Sequence, residues 1–291
     1  MEGLVFAVGV LHFAAPVAFA AIGESIGQRS GVINIGLEGM MLVAAFFAML
    51  ATTLSGSPWL GLGAGVLAAL VLGIVQCFFT LRLAADQIVV GTAVNLFAIG
   101  LTDTLFRARF GQTGSLISVP RIPKFFENFD VLLLLLLVSA VFLAWTVART
   151  KRGLVLRAAG EYPHAVEAAG FPALKVRFWS CMVAALYAGL GGAYLCVGVT
   201  GSFAPGMTAG RGFVAIAMVT FGQWKPAWVL AAALLVGYSE SVQYTLQVRN
   251  LSVPGELLQA LPYLVALAVL VLVGRGAAMP AMLAVPYRRE K

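Results

Sequence analysis

The chain has 291 residues, 61% of them hydrophobic and only 11% charged, with a mean hydropathy of +0.96. A soluble domain carries about 25% charged residues, so a soluble globular protein is excluded. The net charge of +7 fits the basic loops of a cytoplasmic membrane face better than a nucleic-acid surface.

About nine hydrophobic segments follow one another, near 4–24, 33–53, 58–81, 87–106, 131–149, 176–199, 210–222, 227–247 and 258–274. Several reach the roughly 20 apolar residues that cross about 30 Å of hydrocarbon. No soluble stretch separates them, and the alternating pattern of a membrane barrel is absent. The expectation is an all-α, polytopic transmembrane bundle of about 8–10 spans, forming a single transmembrane domain over 1–291. The first segment lacks a basic n-region and a clear cleavage site, so it reads as a retained helix and not a removed signal peptide. His12 is expected to pack near a kink at Pro16.

The second segment opens with "RSGVINIGLEGMM" (29–41). Asn34 and Glu38 stand four apart, so they are expected to share one helix face. The fourth segment carries Asn95 and Asp103. A charge at the bilayer centre costs about 2.5–3.5 kcal/mol even on a mild scale, so such groups should face a cavity or a partner.

Between the fifth and sixth segments lies a polar island, "EYPHAVEAAGFP" (161–172), within a basic loop of about 150–175. Pro163 suits the first turn of a helix, Gly170 suits the position just past its end, and Pro172 blocks continuation. The spacing predicts a helix of about two turns. A helix that short is marginal alone in water. It could lie on lipid headgroups, but its alanine face suits a protein groove better.

The seventh segment, within "TAGRGFVAIAMVTFGQWKP" (208–226), is short and glycine-opened, like the second, and is a candidate re-entrant segment. Glycine-interrupted segments in two halves of a chain point to an inverted-repeat transporter with its site between them. The competing reading is that glycines merely let helices pack closely. In the eighth segment Glu240, Gln243, Tyr244 and Gln247 fall at i, i+3, i+4 and i+7, a polar stripe on an apolar helix. Such a stripe can line a pore or hold helices together. Its carboxylate, amides and flat ring suit a neutral polar solute.

With the loop 150–175 in the cytoplasm, 13 of the 19 Lys and Arg residues fall inside, as the positive-inside rule requires. The N-terminus is then outside and the C-terminus inside. Cys77, Cys181 and Cys196 sit in apolar surroundings and read as buried small hydrophobes. His12 and His164 form no metal-ligand pattern, no catalytic constellation is present, and no GxxxxGK[ST] phosphate loop occurs.

Three stretches together resemble the permease subunits of bacterial ABC importers in the branched-chain amino acid, simple-sugar and nucleoside group: "GVINIGLEGMMLVAAFFA" (31–48), "GLVLRAAGEYPHAVEAAG" (153–170) and "GRGFVAIAMVTFGQWKP" (210–226). The nearest likeness is to the shorter permease of nucleoside-type systems. The resemblance implies an inverted-repeat, type II-like importer architecture in a bacterial cytoplasmic membrane. It implies that the island is a coupling helix, with Glu161, Pro163, Glu167, Ala168, Ala169 and Gly170 meeting an ATPase subunit. It implies a second, longer related permease, two ATPase domains that use ATP and Mg, and an extracytoplasmic binding protein. No cofactor is expected on this chain and no enzymatic activity. The expected pathway residues are Asn34, Glu38, Asn95, Glu240, Gln243, Tyr244 and Gln247, and the expected solute is a nucleoside or purine base. A simple-sugar importer is the alternative. A self-contained secondary transporter is disfavoured by the sparse ionisable groups, and a membrane enzyme or scaffold by the lack of catalytic residues.

Overall fold

A computed structural model describes residues 2–111, 116–125, 129–248, 260–265, 267–268, 271 and 279–287. Ten helices run in chain order among them: α1 (Glu2–Arg29), α2 (Leu37–Ser55), α3 (Pro58–Cys77), α4 (Gln87–Phe110), α5 (Val131–Arg149), α6 (Lys151–Glu161), α7 (Pro163–Ala168), α8 (Ala173–Tyr194), α9 (Arg211–Phe221) and α10 (Pro226–Val248). π-helical turns extend α3 through Phe78–Arg82 and α8 through Leu195–Thr200. Six of these helices, α1 to α5 and α8, are long and apolar enough to cross a membrane. α10 matches them in length with 23 residues. α9 has 11 residues, about 16 Å at 1.5 Å per residue, or half a bilayer. The ninth expected segment, 258–274, is described only in part; 260–265, 267–268 and 271 are helical.

Local chemistry sets the boundaries. Asp86 caps α4 by accepting the Ile88 and Val89 amides at 2.8 and 3.0 Å. Asp130 caps α5 through the Leu133 amide at 3.0 Å, and Thr150 caps α6 through the Gly153 amide at 3.1 Å. Each cap satisfies a donor that the first turn would otherwise leave unpaired. Pro58 and Pro163 stand at the first positions of α3 and α7, where a missing N–H costs nothing.

α8 is the centre of the bundle, packed on α1, α2 and α3. Its Gly191–Gly192 pair makes this possible. A Cβ on Gly191 would strike the Pro16 carbonyl, and one on Gly192 the Met41 carbonyl. α8 therefore meets α1 and α2 backbone to backbone, the close approach that small residues permit in lipid.

The two ends of the bundle differ. At one, β1 (Ile117–Ser118) pairs antiparallel with β2 (Ser202–Phe203), and Arg121 Nη2 donates to the Thr200 carbonyl at 2.7 Å. At the other, Arg29 Nε donates to the Trp224 carbonyl at 2.9 Å, and the Met282 amide to the Gly160 carbonyl at 2.9 Å. Two basic residues counted as loop charges prove to be internal. Arg177 is fully buried near the start of α8, where Nη2 donates to the Ala159 carbonyl at 3.3 Å and the guanidinium stacks 5.5 Å from the Tyr287 ring. Arg211 begins α9 and pairs with Glu240 at 3.4 Å.

The polar island's short helix is preceded by a second one that the spacing did not predict. α6, an 11-residue helix, precedes it, and Glu161 is the last residue of α6. α7 then runs six residues, and Gly170 takes a left-handed φ of +86° just beyond it.

Candidate functional site

The two glycine-opened segments meet inside the bundle. Residues 32–36 are not helical, and α2 begins only at Leu37. Asn34 and Glu38 therefore do not share a helix face: Asn34 precedes α2 and Glu38 stands in its first turn. The break arises because Glu24 of α1 holds the returning strand, accepting the Asn34 amide at 2.9 Å on the same Oε1 that takes Gln28 Nε2 at 2.9 Å. Gln87 accepts the Ile33 amide at 2.8 Å. Asn95 of α4 clamps the start of α2 at both ends of its amide, accepting from Gly39 N at 2.8 Å and donating to the Ile35 carbonyl at 2.9 Å.

Glu38 joins α2 to α9. Its Oε1 accepts the Gly210 amide at 2.8 Å and its Oε2 the Gly212 amide at 2.6 Å. A carboxylate on the first amides of a helix is the favourable arrangement for both hydrogen bonding and dipole. Gly212 is required: an added Cβ would lie 2.5 Å from the Glu38 backbone nitrogen. Asn34 Oδ1 is buried with no hydrogen-bond partner among the described residues.

The stripe on α10 lies beside this junction. Glu240 pairs with Arg211, whose Nη1 also donates to the Met207 carbonyl at 3.2 Å. Gln243 is half-buried, while Tyr244 and Gln247 are exposed. The Tyr244 ring stands 5.7 Å from Phe13 of α1, tilted by 39°. The structure thus brings Asn34, Glu38 and Asn95 together in a backbone-holding cluster and sets Glu240, Gln243, Tyr244 and Gln247 along a partly open helix face. Asp103 joins neither; it pairs with Arg107 one turn on, at 3.0 Å.

At the end carrying 150–175, Pro163 is buried and Glu161 Oε2 accepts the Ala281 amide at 3.2 Å. Ala168, Ala169 and Gly170 are exposed, and Glu167 is half-buried. His164 is exposed too, its ring 5.1 Å from Tyr287.

Sequence reasoning missed Glu24, Gln28 and Trp224. Trp224 Nε1 donates to Gln28 Oε1 at 2.7 Å, tying the end of α9 to α1. The signal was present: Glu24 and Gln28 stand one turn apart in an apolar helix. It also missed residues 279–287, which support α6, α7 and Arg177. Among the described residues no group of His, Cys, Asp and Glu could hold a metal ion.

The family model for the branched-chain amino acid transport system / permease component matches residues 6–274. The chain belongs to this family of permeases. The permease is 30% identical to the guanosine ABC transporter permease protein NupQ of Bacillus subtilis, over 97% of this chain and 95% of NupQ. It is 31% identical to the nucleoside ABC transporter permease protein NupC of Lactococcus lactis, over 97% and 96%. TsgC13 of Haloferax volcanii, assigned provisionally as a glucose ABC transporter permease, is 32% identical over 85% of this chain and 80% of its own. In fold the permease matches a solved inward-facing metal-chelate type ABC transporter with a TM-score of 0.55, covering 94% of this chain and 86% of that one at 17% identity. It is a multi-pass membrane protein and a permease of an ABC transporter.

Proposed function

We propose that this permease forms half of the translocation pathway of an ATP-driven importer for nucleosides or purine bases. The observation that carries the solute class is the face of α10. Tyr244, tilted against Phe13, offers aromatic surface to a base, and Gln243 and Gln247 offer amide donors and acceptors to ring nitrogens and hydroxyls. The guanosine and nucleoside assignments of NupQ and NupC support the same reading. The name of TsgC13 supports a simple sugar as the second reading. In this proposal Glu240, Gln243, Tyr244 and Gln247 line the pathway. Asn34, Glu38 and Asn95 shape it from behind by holding the broken start of α2.

The end carrying 150–175 faces the cytoplasm of a bacterial cell, with the N-terminus outside and the C-terminus inside. Two ATPase domains dock there, using ATP and Mg, with Glu161, Pro163, Glu167, Ala168, Ala169 and Gly170 as the coupling region. Ala168, Ala169 and Gly170 form its outer surface, and Pro163 and Glu161 anchor it from within. The chain itself binds no cofactor and performs no catalysis. A second, longer permease in an inverted-repeat pair and an extracytoplasmic binding protein complete the importer. ATPase closure moves the coupling helices and switches the pathway between its two openings.

The test is uptake of labelled guanosine and of labelled glucose by cells carrying the whole system, with and without the ATPase gene. Guanosine uptake that disappears with the ATPase is expected. Uptake that persists without it overturns the importer reading, and glucose uptake alone replaces the solute.

A further inference from the structure

A cavity of about 670 Å³ opens between α1, α5, α6 and α8 at the end carrying α7. The volume falls in the ~300–1,000 Å³ range of small-molecule sites. It lies apart from α9, α10 and the polar stripe. Its depth is apolar, walled by Ile26, Leu143 and Val183. Its rim carries Lys151 and Arg152, both exposed.

Two features of the rim call for an anion. Lys151 and Arg152 are the first two residues of α6, and no acidic residue stands in that first turn. Open amides and the helix dipole already make this end positive, so cations there are unfavourable unless something negative covers them. Neither side chain makes an ion pair among the described residues. Below the rim the lining is almost wholly apolar. Beside it the Trp179 side chain is 67% exposed, a residue that settles at the membrane–water boundary.

From rim to depth the chemistry runs from a cation pair to a hydrocarbon wall. A phospholipid presents the complementary order: phosphate, then acyl chain. We propose that this cavity binds an anionic phospholipid, its phosphate at Lys151 and Arg152 and an acyl chain along α5 and α8. Basic pockets between membrane helices hold acidic headgroups in this way. A soluble anion has no use for the apolar depth. The site adjoins α6, which leads directly into α7, so its occupant bears on the position of the polar island. The inference does not depend on the identity of the transported solute.

The test uses the full chain purified into nanodiscs of phosphatidylglycerol or phosphatidylcholine, with retained lipid read by native mass spectrometry. Wild type retains phosphatidylglycerol preferentially. The Lys151→Gln/Arg152→Gln variant loses about 25-fold in that preference, at roughly fivefold for each basic side chain, and keeps its phosphatidylcholine level. Leu143→Trp fills the depth and lowers retention of both lipids while leaving the rim charges in place. Equal retention of the two lipids by wild type overturns the proposal. So does displacement of the lipid by inorganic phosphate, which would mark a free-anion site. In the assembled transporter, a photo-crosslinker at position 179 that captures an ATPase subunit in place of lipid also overturns it.

Discussion

The carboxylate of Glu38 accepts the amide of Gly212 across 174 residues of sequence, at 2.6 Å. Together with the Gly210 contact it makes one side chain of α2 the cap of α9. Charge-assisted hydrogen bonds of this kind are worth about 1.5–3 kcal/mol each. Glu38→Ala therefore destabilises the purified permease by about 3 kcal/mol or more, read as a lower midpoint of thermal unfolding in detergent. Glu38→Gln, which keeps one amide oxygen as an acceptor, falls between it and wild type. An unchanged midpoint for Glu38→Ala would show that the cap contributes nothing.

Asn95 is the corresponding clamp from α4. Asn95→Ala leaves the Gly39 amide and the Ile35 carbonyl without their partner, at about 1–3 kcal/mol for each buried group left unsatisfied. Asn95→Asp keeps the acceptor for Gly39 but turns a donor into a second acceptor facing the Ile35 carbonyl. Both variants lower thermal stability. Asn95→Asp retains more of it when assayed below the carboxylate range, where the protonated acid regains a donor. A stability of Asn95→Asp that does not respond to acid would count against this geometry.

A second buried network joins three helices near the β1–β2 end. Tyr194 of α8 donates to Asp130 Oδ2 at 2.6 Å and stands 2.9 Å from His12 Nδ1 of α1. Asp130 is also the cap of α5. Tyr194→Phe removes the shared hydroxyl and costs about 2 kcal/mol, as a buried charged acceptor loses its donor. Asp130→Ala costs more, because the cap, worth about 1 kcal/mol, goes with it. The order of unfolding midpoints, wild type above Tyr194→Phe above Asp130→Ala, checks both roles.

Arg211 and Glu240 form the internal ion pair between α9 and α10. Both are partly buried, with side-chain exposures of 27% and 16%, so removing one partner leaves an unpaired charge. Glu240→Ala and Arg211→Ala each lower uptake. The double variant loses less than the sum, with a coupling of about 0.5–3 kcal/mol expected for contacting residues. Strict additivity would mean that the pair is not a functional unit.

Glu167→Arg tests the coupling proposal. The spans should insert as before, because residue 167 lies in α7 outside them, and the unfolding midpoint of the variant in detergent checks that the half-buried position tolerates arginine. A reversed charge at a protein interface costs several kcal/mol, so ATPase association falls on the order of a hundredfold or more. Co-purification of the ATPase subunit with the tagged permease measures it. Undiminished co-purification together with full uptake would move the contact elsewhere.

The helices were legible because their signals are local. Asp86, Asp130, Pro58 and Pro163 mark starts, Gly170 marks a stop, and six of the nine hydrophobic segments are helices long and apolar enough to span. The short α9 was legible as an interrupted segment from its glycines. What stayed hidden depends on distant partners. The break before α2 is made by Glu24, Gln87 and Asn95, each on another helix, so the stretch around Asn34 reads as continuous helix until those partners are placed. Arg177 reads as a loop charge because its partners, the Ala159 and Val285 carbonyls, come from a neighbouring helix and from the chain near 285. Glu38 and Glu240 were both recognised as costly polar groups. Spacing could not say that one would be spent on backbone amides and the other on an arginine.

Gly191 and Gly192 have a consequence for motion. Where two backbones touch there is no side-chain slack to take up a slide, so α1, α2 and α8 travel as one block. Among the described residues no glycine brings the α5 backbone against that block, so α5 has more freedom to rearrange. Spin labels on α2 and α8 should therefore hold a constant separation through a transport cycle and serve as an internal ruler. A label pair from α8 to α5 is where a change of distance will be found.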